Sequence, residues 1–526
     1  MGHYVNPESR KFQMSLNSKI YVDKSDLIIK TNALLDTEGR FICISRPRRF
    51  GKTMAANMLA AYYGIGETTV DLFNDLTIAK HPTYEKHLNQ YNVLMINMQE
   101  FLSQTNSIEA LIDLLKLRIT SELRTVHPEV SYTDLDDFIL VMKDTYAQTK
   151  RPFVILIDEW DCLFREYKHD VEAQKKYLDF LRLWFKDQAY VGLAYMTGIL
   201  PIKKYGTHSA LNMFDEYSMI KPYQFLDFFG FTEEEVLKLS KEYKVDFEEI
   251  KKWYNGYFVD RNQPIYNPRS VKSSLLNREF DSYWSSTETY EALKDYINLN
   301  FDELKDKVTL LLSDVAVPII TRSFVNDMTT FNSADNILTL LVHLGYLTYN
   351  FENGTVRIPN EEIKGEFVTA ITSLKWPNIV DALRNSQQLL EAIWGRKEDV
   401  IVDLVQKVHE KNTSILQYND ENSLSCVLSL ALYSAKDYYT VIRELPSGKG
   451  YVDLVFIPLP KHLDKPAMIV ELKWDQTTAT AIDQIKNKNY ISALEGYEEN
   501  LLLVGINYSK KTKKYDCTIK VLGVDQ

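Results

Sequence analysis

Two apolar runs near the C-terminus carry residue types suited to phosphodiester chemistry. Asp453-Leu-Val-Phe-Ile-Pro458 opens after an acid, and Met468-Ile-Val-Glu-Leu-Lys-Trp474 closes on Glu-x-Lys. Side chains alternate along a strand, so Glu471 and Lys473 share one face while Val470 and Leu472 point into a core. Asp453 and Glu471 are therefore candidate ligands for a Mg²⁺ whose bound water attacks a phosphodiester, with the Leu472 carbonyl as a third. Lys473 stands beside them to polarise that water or offset developing negative charge. A Glu-x-Lys triplet alone says little, since a chain of this length holds on the order of two or three by chance. Its surroundings decide. Residues 421–436 have helical spacing, 438–444 are rich in β formers, and 445–450 read as a turn. Beyond the motif, 478–489 read as a helix, and 500–506 and 517–522 as strands. Glu444 and Glu421 are weaker candidates for supporting the metal, each competing with a role as a helix cap or solvated acid.

A second chemical anchor lies near the other end. Residues 41–53, Phe-Ile-Cys-Ile-Ser-Arg-Pro-Arg-Arg-Phe-Gly-Lys-Thr, run from an apolar strand into a helix that begins near Lys52. This spacing is that of a phosphate-binding loop. Backbone N–H groups of Arg49, Phe50 and Gly51 and the Lys52 ammonium would hold the β- and γ-phosphates of ATP, and the Thr53 hydroxyl would ligate Mg²⁺. Arg46 and Pro47 depart from the usual loop, which has glycine first. The matching acidic strand is Phe153-Val-Ile-Leu-Ile-Asp-Glu-Trp-Asp161. There Asp158 would hold Mg²⁺ through water, and Glu159 would orient or deprotonate the attacking water. A third strand, 191–198, places Thr197 where a γ-phosphate sensor sits. Arg165 and Arg182 are candidate arginine fingers, with no ground for preferring either.

The order helix, three strands, helix, two strands in the C-terminal region resembles the restriction-endonuclease-like, PD-(D/E)xK nuclease fold. Gln484 with Tyr490 resembles the Gln-x-x-x-x-x-Tyr signature of its RecB-like branch. Tyr21-Val-Asp-Lys-Ser, Ser45-Arg-Pro-Arg-Arg-Phe-Gly-Lys-Thr53, Phe229-Gly-Phe-Thr-Glu, Trp253-Tyr-Asn-Gly-Tyr257 and Tyr266-Asn-Pro complete the picture. Together they are similar to the bacterial AAA-ATPase-like proteins that carry a C-terminal PD-(D/E)xK nuclease domain, over nearly the whole chain. In that family Arg-Pro-Arg-Arg-Phe-Gly-Lys is itself the typical loop. The resemblance implies an α/β protein: a P-loop NTPase domain at 1–225, a helical lid at 226–300, and a winged-helix-like module at 301–373. A connector and the restriction-endonuclease-like α/β nuclease domain, at 374–526, complete it. It adds Gln484 to the catalytic set of Asp453, Glu471 and Lys473.

The elements between the anchors fit this plan. Strand and helix alternate up to about residue 225, as a P-loop domain requires. In the lid, Trp253, Tyr254, Tyr257, Tyr266 and Trp284 are read as core, base stacking being the alternative. In 301–373 the apolar helix 334–344 precedes a hairpin at 345–359 with an Asn-Gly turn at 353–354. The recognition-helix stretch 336–344 is apolar and is read as offering a base His343, so a structural role is expected.

With 526 residues, 45 % hydrophobic and 25 % charged, the chain is long enough for about three domains. Its four cysteines, Cys43, Cys162, Cys426 and Cys517, sit in apolar contexts without zinc-site spacing, which fits reduced core thiols and a cytoplasmic protein. No apolar run approaches a membrane span. A net charge of −11 excludes indiscriminate coating of nucleic acid, so any such surface is local. Candidates are Lys486 and Lys488 beside Gln484, and Lys510, Lys511, Lys513 and Lys514 in the last hairpin, against the alternative of a solvated lysine face. The reading is an ATP-binding and hydrolysing protein fused to a Mg²⁺-dependent nuclease acting on nucleic acid, with DNA the favoured substrate. Two alternatives stay open: a nucleotide-gated defence or signalling switch controlling the nuclease, and a non-catalytic nucleic-acid-binding scaffold. Homo-oligomerisation and a trigger or partner protein are also open.

Overall fold

The computed structural model describes residues 2–522 other than 206, 207, 210, 260–262, 285–289, 300, 302, 327, 375, 412–424, 426, 427, 430, 448, 449, 488–493, 495, 498 and 499. The chain forms two compact units, one of residues 1–289 and 318–365, the other of 290–317 and 366–526.

In the first unit a five-stranded sheet has the order β2-β3-β4-β1-β5, with every neighbouring pair parallel. The strands are β1 (Phe41–Ser45), β2 (Asn92–Asn97), β3 (Phe153–Asp158), β4 (Val191–Gly198) and β5 (Asp215–Tyr217). Every residue of β1, β3 and β4 is buried, the pattern of strands covered on both faces. The registers Ser45↔Gly198 and Asp158↔Thr197 bring the carboxyl ends of β1, β3 and β4 together. Helix α1 (Lys52–Tyr63) starts at that edge. Open α/β sheets bind ligands there, where strand order reverses.

The helices that follow depend on capping chemistry. Thr232 and Glu235 form a capping box at the start of Glu233–Tyr243. Asn267 accepts from the N–H of Arg269 at 2.9 Å, and Pro268 occupies the first position of helix α3 (Pro268–Asn277). Tyr254, Tyr257, Tyr266 and Trp284 are buried in the core, as expected, whereas Trp253 is half-buried and packs against it. Helix Ala334–Leu344 is buried almost throughout and His343 is 3 % exposed, so this helix presents nothing to a base. The hairpin Thr348–Asn350 with Thr355–Arg357 lies where the Asn-Gly signal puts it, Gly354 taking φ 65°.

The second unit holds a five-stranded sheet in sequential order: β6 (Tyr439–Ser447), β7 (Gly450–Pro458), β8 (Ala467–Trp474), β9 (Leu501–Ser509) and β10 (Lys514–Val521). Only β8 and β9 are parallel, joined through helix α4 (Thr478–Asn487). One face packs Leu454, Phe456, Val470, Leu472 and Ile506 into the larger core; Val455, Ile469 and Leu503 on the other meet Ile482 and Ile485 of α4. Several boundaries differ from the sequence reading. β6 runs through Pro446 to Ser447 where a turn was expected, because β6 is an edge strand and can spare the missing N–H. β9 reaches Ser509, because Asn507 and Tyr508 pair on both sides and Ser509 still pairs with Lys514 of β10. Of the expected helix 421–436, residues 421–424, 426, 427 and 430, with Glu421 and Cys426 among them, lie outside the described residues; 425, 428, 429 and 431 are helical, and Tyr433–Asp437 is a short 3₁₀ helix. Cys43, Cys162 and Cys517 are free thiols. Among the described residues no helix is long and apolar enough to cross a membrane.

The Trp-Tyr-Asn-Gly-Tyr segment shows a glycine that geometry demands. Gly256 has φ +98°, and a Cβ there would meet the Pro359 carbonyl oxygen at 2.0 Å. Asn360 closes the contact by donating to the Asn255 carbonyl at 2.7 Å. Gly256→Ala is expected to destabilise this unit by at least about 2 kcal/mol, combining left-handed strain with a backbone clash. Calorimetric unfolding checks this, and an unchanged transition would contradict the packing described.

Candidate functional site

At the edge of the first sheet, Gly51 caps α1 with φ 91°, and a Cβ at Gly51 would stand in open space. Among the described residues the backbone N–H groups of Arg49 to Thr53 donate to no other group. A cradle of unspent donors beside a buried ammonium fits the chemistry of phosphate. Lys52 is 5 % exposed, and its Nζ donates to the carbonyls of Arg46 at 2.9 Å and Pro47 at 3.0 Å. Burial lowers its pKa, against the pull of Glu159 and Asp158. Asp158 is fully buried. It accepts from Thr53 Oγ1 at 2.6 Å and from Thr197 Oγ1 at 2.5 Å, so the two residues expected around a nucleotide-bound cation and the expected γ-phosphate sensor touch. Burial raises the Asp158 carboxyl pKa, and the two hydroxyl donors oppose this.

Glu159 turns away from the strand at φ 55°, and its carboxylate is held by the Arg165 guanidinium. Arg165 follows on helix α2 (Cys162–Glu166), is 10 % exposed and also lies 3.7 Å from Asp161. Arg182 pairs with Asp179 on the surface. Arg165 is thus engaged inside its own site.

In the second unit strand alternation does what the sequence predicts. Glu471 is 1 % exposed and Lys473 is 6 % exposed, and Lys473 Nζ donates to Glu471 Oε1 at 3.0 Å. Gln484 of α4 donates to the same oxygen. Asp453, half-buried on β7, accepts from the Leu472 N–H at 2.7 Å, which fixes one carboxylate against the strand that bears the other. Glu471 Oε2 is buried and has no hydrogen-bond partner among the described residues. Burial, with Asp453 nearby, pushes the Glu471 carboxyl up to about 7. A cation between two such acids favours the ionised form. An orphaned carboxylate oxygen, a second acid and the Leu472 carbonyl are the donors a hard divalent ion takes. Among the described residues no three His, Cys, Asp or Glu side chains cluster as a metal site, so water or substrate oxygens would fill the other positions.

Comparison with known proteins agrees with both geometries. Residues 11–208 match the model of the predicted AAA-ATPase family, and residues 419–517 match that of the PD-(D/E)XK nuclease superfamily. The chain joins an AAA-ATPase-like region to a PD-(D/E)XK-superfamily region. An "uncharacterized protein in vnfD 5'region" from Azotobacter chroococcum mcd 1 is 23 % identical over 94 % of this chain and 93 % of its own length. Among solved structures, Cdc6p from Pyrobaculum aerophilum is 12 % identical over 70 % of this chain and 99 % of its own, with TM-score 0.26. The Aeropyrum pernix ORC1 protein in complex with DNA is 10 % identical over 71 % and 100 %, with TM-score 0.27. Likenesses that slight tell nothing further about this chain.

The AAA-ATPase-like region gathers Arg49, Phe50, Gly51, Lys52, Thr53, Asp158, Glu159 and Thr197 at one edge; the nuclease-superfamily region gathers Asp453, Glu471, Lys473 and Gln484. Tyr490 and Lys488 lie outside the described residues, Lys486 is exposed on the last turn of α4, and Glu444 is on edge strand β6. Sequence reasoning missed three features. Asp161 is fully buried and accepts from the N–H groups of Ile199 at 3.0 Å and Leu200 at 2.8 Å, fixing the turn after β4. An apolar pocket beside Gly51 is lined by Phe12, Tyr21, Phe50, Met54 and Phe231, with Lys24 and Lys272 also on its wall. The Tyr21-Val-Asp-Lys-Ser and Phe229-Gly-Phe motifs signalled it, being the segments that form its walls. Third, Arg46 does not face phosphate.

The Arg46 guanidinium is 2 % exposed and donates to the carbonyls of Ser45 and Tyr217 at 2.8 Å and of Phe225 at 3.3 Å. It lies 5.3 Å from the Phe229 ring centroid, and burial lowers its pKa to about 10. Arg46→Met is expected to cost about 2–4 kcal/mol by leaving these buried carbonyls unpaired. Urea unfolding checks this; parental stability would mean the side chain is directed elsewhere.

Proposed function

We propose that the protein binds and hydrolyses ATP in its AAA-ATPase-like region and cleaves phosphodiester bonds, in DNA, with the Mg²⁺-dependent site of its nuclease-superfamily region. The observation that carries the nuclease half is Glu471: one buried oxygen gathered by Lys473 and Gln484, the other with no hydrogen-bond partner among the described residues, and Asp453 close by. Asp453, Glu471 and the Leu472 carbonyl would hold the cation, which when bound supplies a Lewis acid that activates water and polarises phosphate. Gln484 fixes the rotamer of Glu471. Lys473 offsets the charge that develops on the phosphoryl oxygens.

In the nucleotide half the Arg49–Thr53 N–H groups and Lys52 hold the β- and γ-phosphates. Thr53 and Asp158 support Mg²⁺, Thr197 keeps Asp158 oriented, and the pocket beside Gly51 takes the base. Glu159 orients the attacking water once it leaves Arg165. That pairing favours the nucleotide-gated switch over a freely running ATPase, because the acid needed for hydrolysis is neutralised by its own chain.

Lys52→Ala is expected to weaken ATP binding at least tenfold, or about 1.4 kcal/mol, by calorimetry. Equal affinities would show that this loop does not hold phosphate. For the nuclease half, folded Asp453→Ala should lose Mg²⁺- and Mn²⁺-dependent cutting of linear, circular and single-stranded DNA. Lys473→Ala should slow it by ~10²–10³-fold while still binding metal. Undiminished cutting by either variant would refute the assignment, and no cutting by the parent under any metal or nucleotide condition would favour the scaffold.

A further inference from the structure

Lys510, Lys511, Lys513 and Lys514 belong to the turn between β9 and β10, and catalysis as described uses none of them. All four are exposed, in a chain of net charge −11. Among the described residues none of their side chains makes an ion pair or hydrogen bond. Four ammonium groups within five residues repel one another. Two acids lie at the turn without pairing with any of the four: Asp475, whose Oδ1 accepts from the Lys510 N–H at 2.7 Å, and Glu410, which accepts from the Gln406 amide that also reaches the Lys513 carbonyl. Asp516 is one exposed acid beside four lysines.

The turn is fixed rather than loose. Lys513 N–H donates to the Ser509 carbonyl at 2.7 Å, Gln406 donates to the Lys513 carbonyl at 3.3 Å, and Lys513 sits at φ 55°. Glycine or asparagine takes that left-handed position more easily, so the turn carries a lysine against its own conformational preference.

Register relates this turn to the acids. Lys473 pairs with Asn507, Asn507 with Asp516, and Ser509 with Lys514. Thr518 donates to Thr478 of α4, and Gln484 of α4 reaches Glu471, so the face of β10 that bears Thr518 is the face of β8 that bears Glu471. By alternation Lys514 projects from that face too. Two strands across and two residues along put its Cα roughly 12 Å from that of Lys473. At about 3.4 Å of helix axis per phosphate on each strand, that distance spans three or four phosphates.

We propose that the β9–β10 turn is a phosphate clamp that grips the backbone of duplex DNA to one side of the scissile bond. This rests on the nuclease reading, whose site supplies the scissile phosphate. The clamp is an electrostatic grip without base readout, so its energy comes from released counterions and weakens steeply with salt.

The test uses the full chain in EDTA with a fluorescein-labelled duplex, its anisotropy titrated at a series of KCl concentrations. The variant is Lys510→Gln, Lys511→Gln, Lys513→Gln and Lys514→Gln combined. The control carries Lys86→Gln, Lys143→Gln, Lys175→Gln and Lys186→Gln, four exposed lysines of the first unit. Circular dichroism melting confirms that each is folded. Losing four phosphate contacts should make the slope of log K against log[salt] shallower by about 3.6 and weaken binding about 10²-fold at physiological salt, with the control matching the parent. A parental slope in the variant, or an equal loss in the control, overturns the clamp. Adding Mg²⁺ or Mn²⁺ separates the two readings. A parent that binds through the turn yet cuts nothing refutes the nuclease and leaves the clamp, whereas a variant that binds and cuts like the parent refutes the clamp alone.

Discussion

A guanidinium sealed under the phosphate-binding loop sets the geometry of the nucleotide region. In a glycine-rich loop the first position lets the backbone turn freely. Here Arg46 fills it and reaches away from the phosphates to Tyr217 of β5 and to Phe225 just beyond it. Next to Phe225, Phe229 lies beside the Arg46 guanidinium, and the Gly230 N–H donates to the Phe50 carbonyl at 3.1 Å. Phe50 in turn meets Tyr257 edge-on at 5.2 Å. Lys24 adds an ion pair to Glu235 at 2.7 Å and a bond to the Asp227 carbonyl at 2.6 Å. The loop that would hold phosphate is therefore pinned to the helices that would cover the base. A change in one moves the other, since buried polar contacts hold discrete arrangements rather than deforming smoothly.

The nuclease-superfamily region meets a different constraint: two ionisable groups on one buried face. Burying Glu471 and Lys473 costs several kcal/mol per charge, and their mutual attraction only partly offsets that. The pair contributes little to stability and much to organisation. Because Lys473 and Gln484 both use Oε1, the second oxygen is left with no hydrogen-bond partner among the described residues. An apolar replacement would fold at least as well, but it would not hold a cation.

Much of this was legible in sequence where local pattern and tertiary demand agree. The runs in β1, β3 and β4 are apolar because both faces of that sheet are covered, and Gly-Lys-Thr and Asp-Glu mark the ends of such runs. Glu471 and Lys473 needed only strand alternation. What was not legible depends on distant partners. Nothing near Arg46 states that its acceptors lie 171 and 179 residues away. Arg165 looked like a candidate finger because its exposure and its pairing with Glu159 cannot be read from spacing. Pro446 signalled a turn, and only the position of β6 at the sheet edge permits a strand there. The wall of the pocket beside Gly51 comes from segments at 12–24, 50–58 and 228–272, each read as a family mark rather than as a surface.

The two candidate sites hold their reactive acids with a cation from the same chain, and the difference between those cations separates their roles. Lys473 is two residues from Glu471 on strand β8, where pairing with β9 fixes the backbone that carries both. Arg165 sits on a five-residue helix, and Glu159 beside it occupies a left-handed backbone position. That conformation costs roughly 1–2 kcal/mol, which relaxation of the turn would return. With the two side chains 10 % and 23 % exposed, the pair is not a surface pair, and Glu159 can leave only if another acceptor takes its place on the Arg165 guanidinium. A γ-phosphate would supply a second acceptor for the Arg165 guanidinium and compete directly with Glu159 for it. ATP would then release the acid that hydrolyses it.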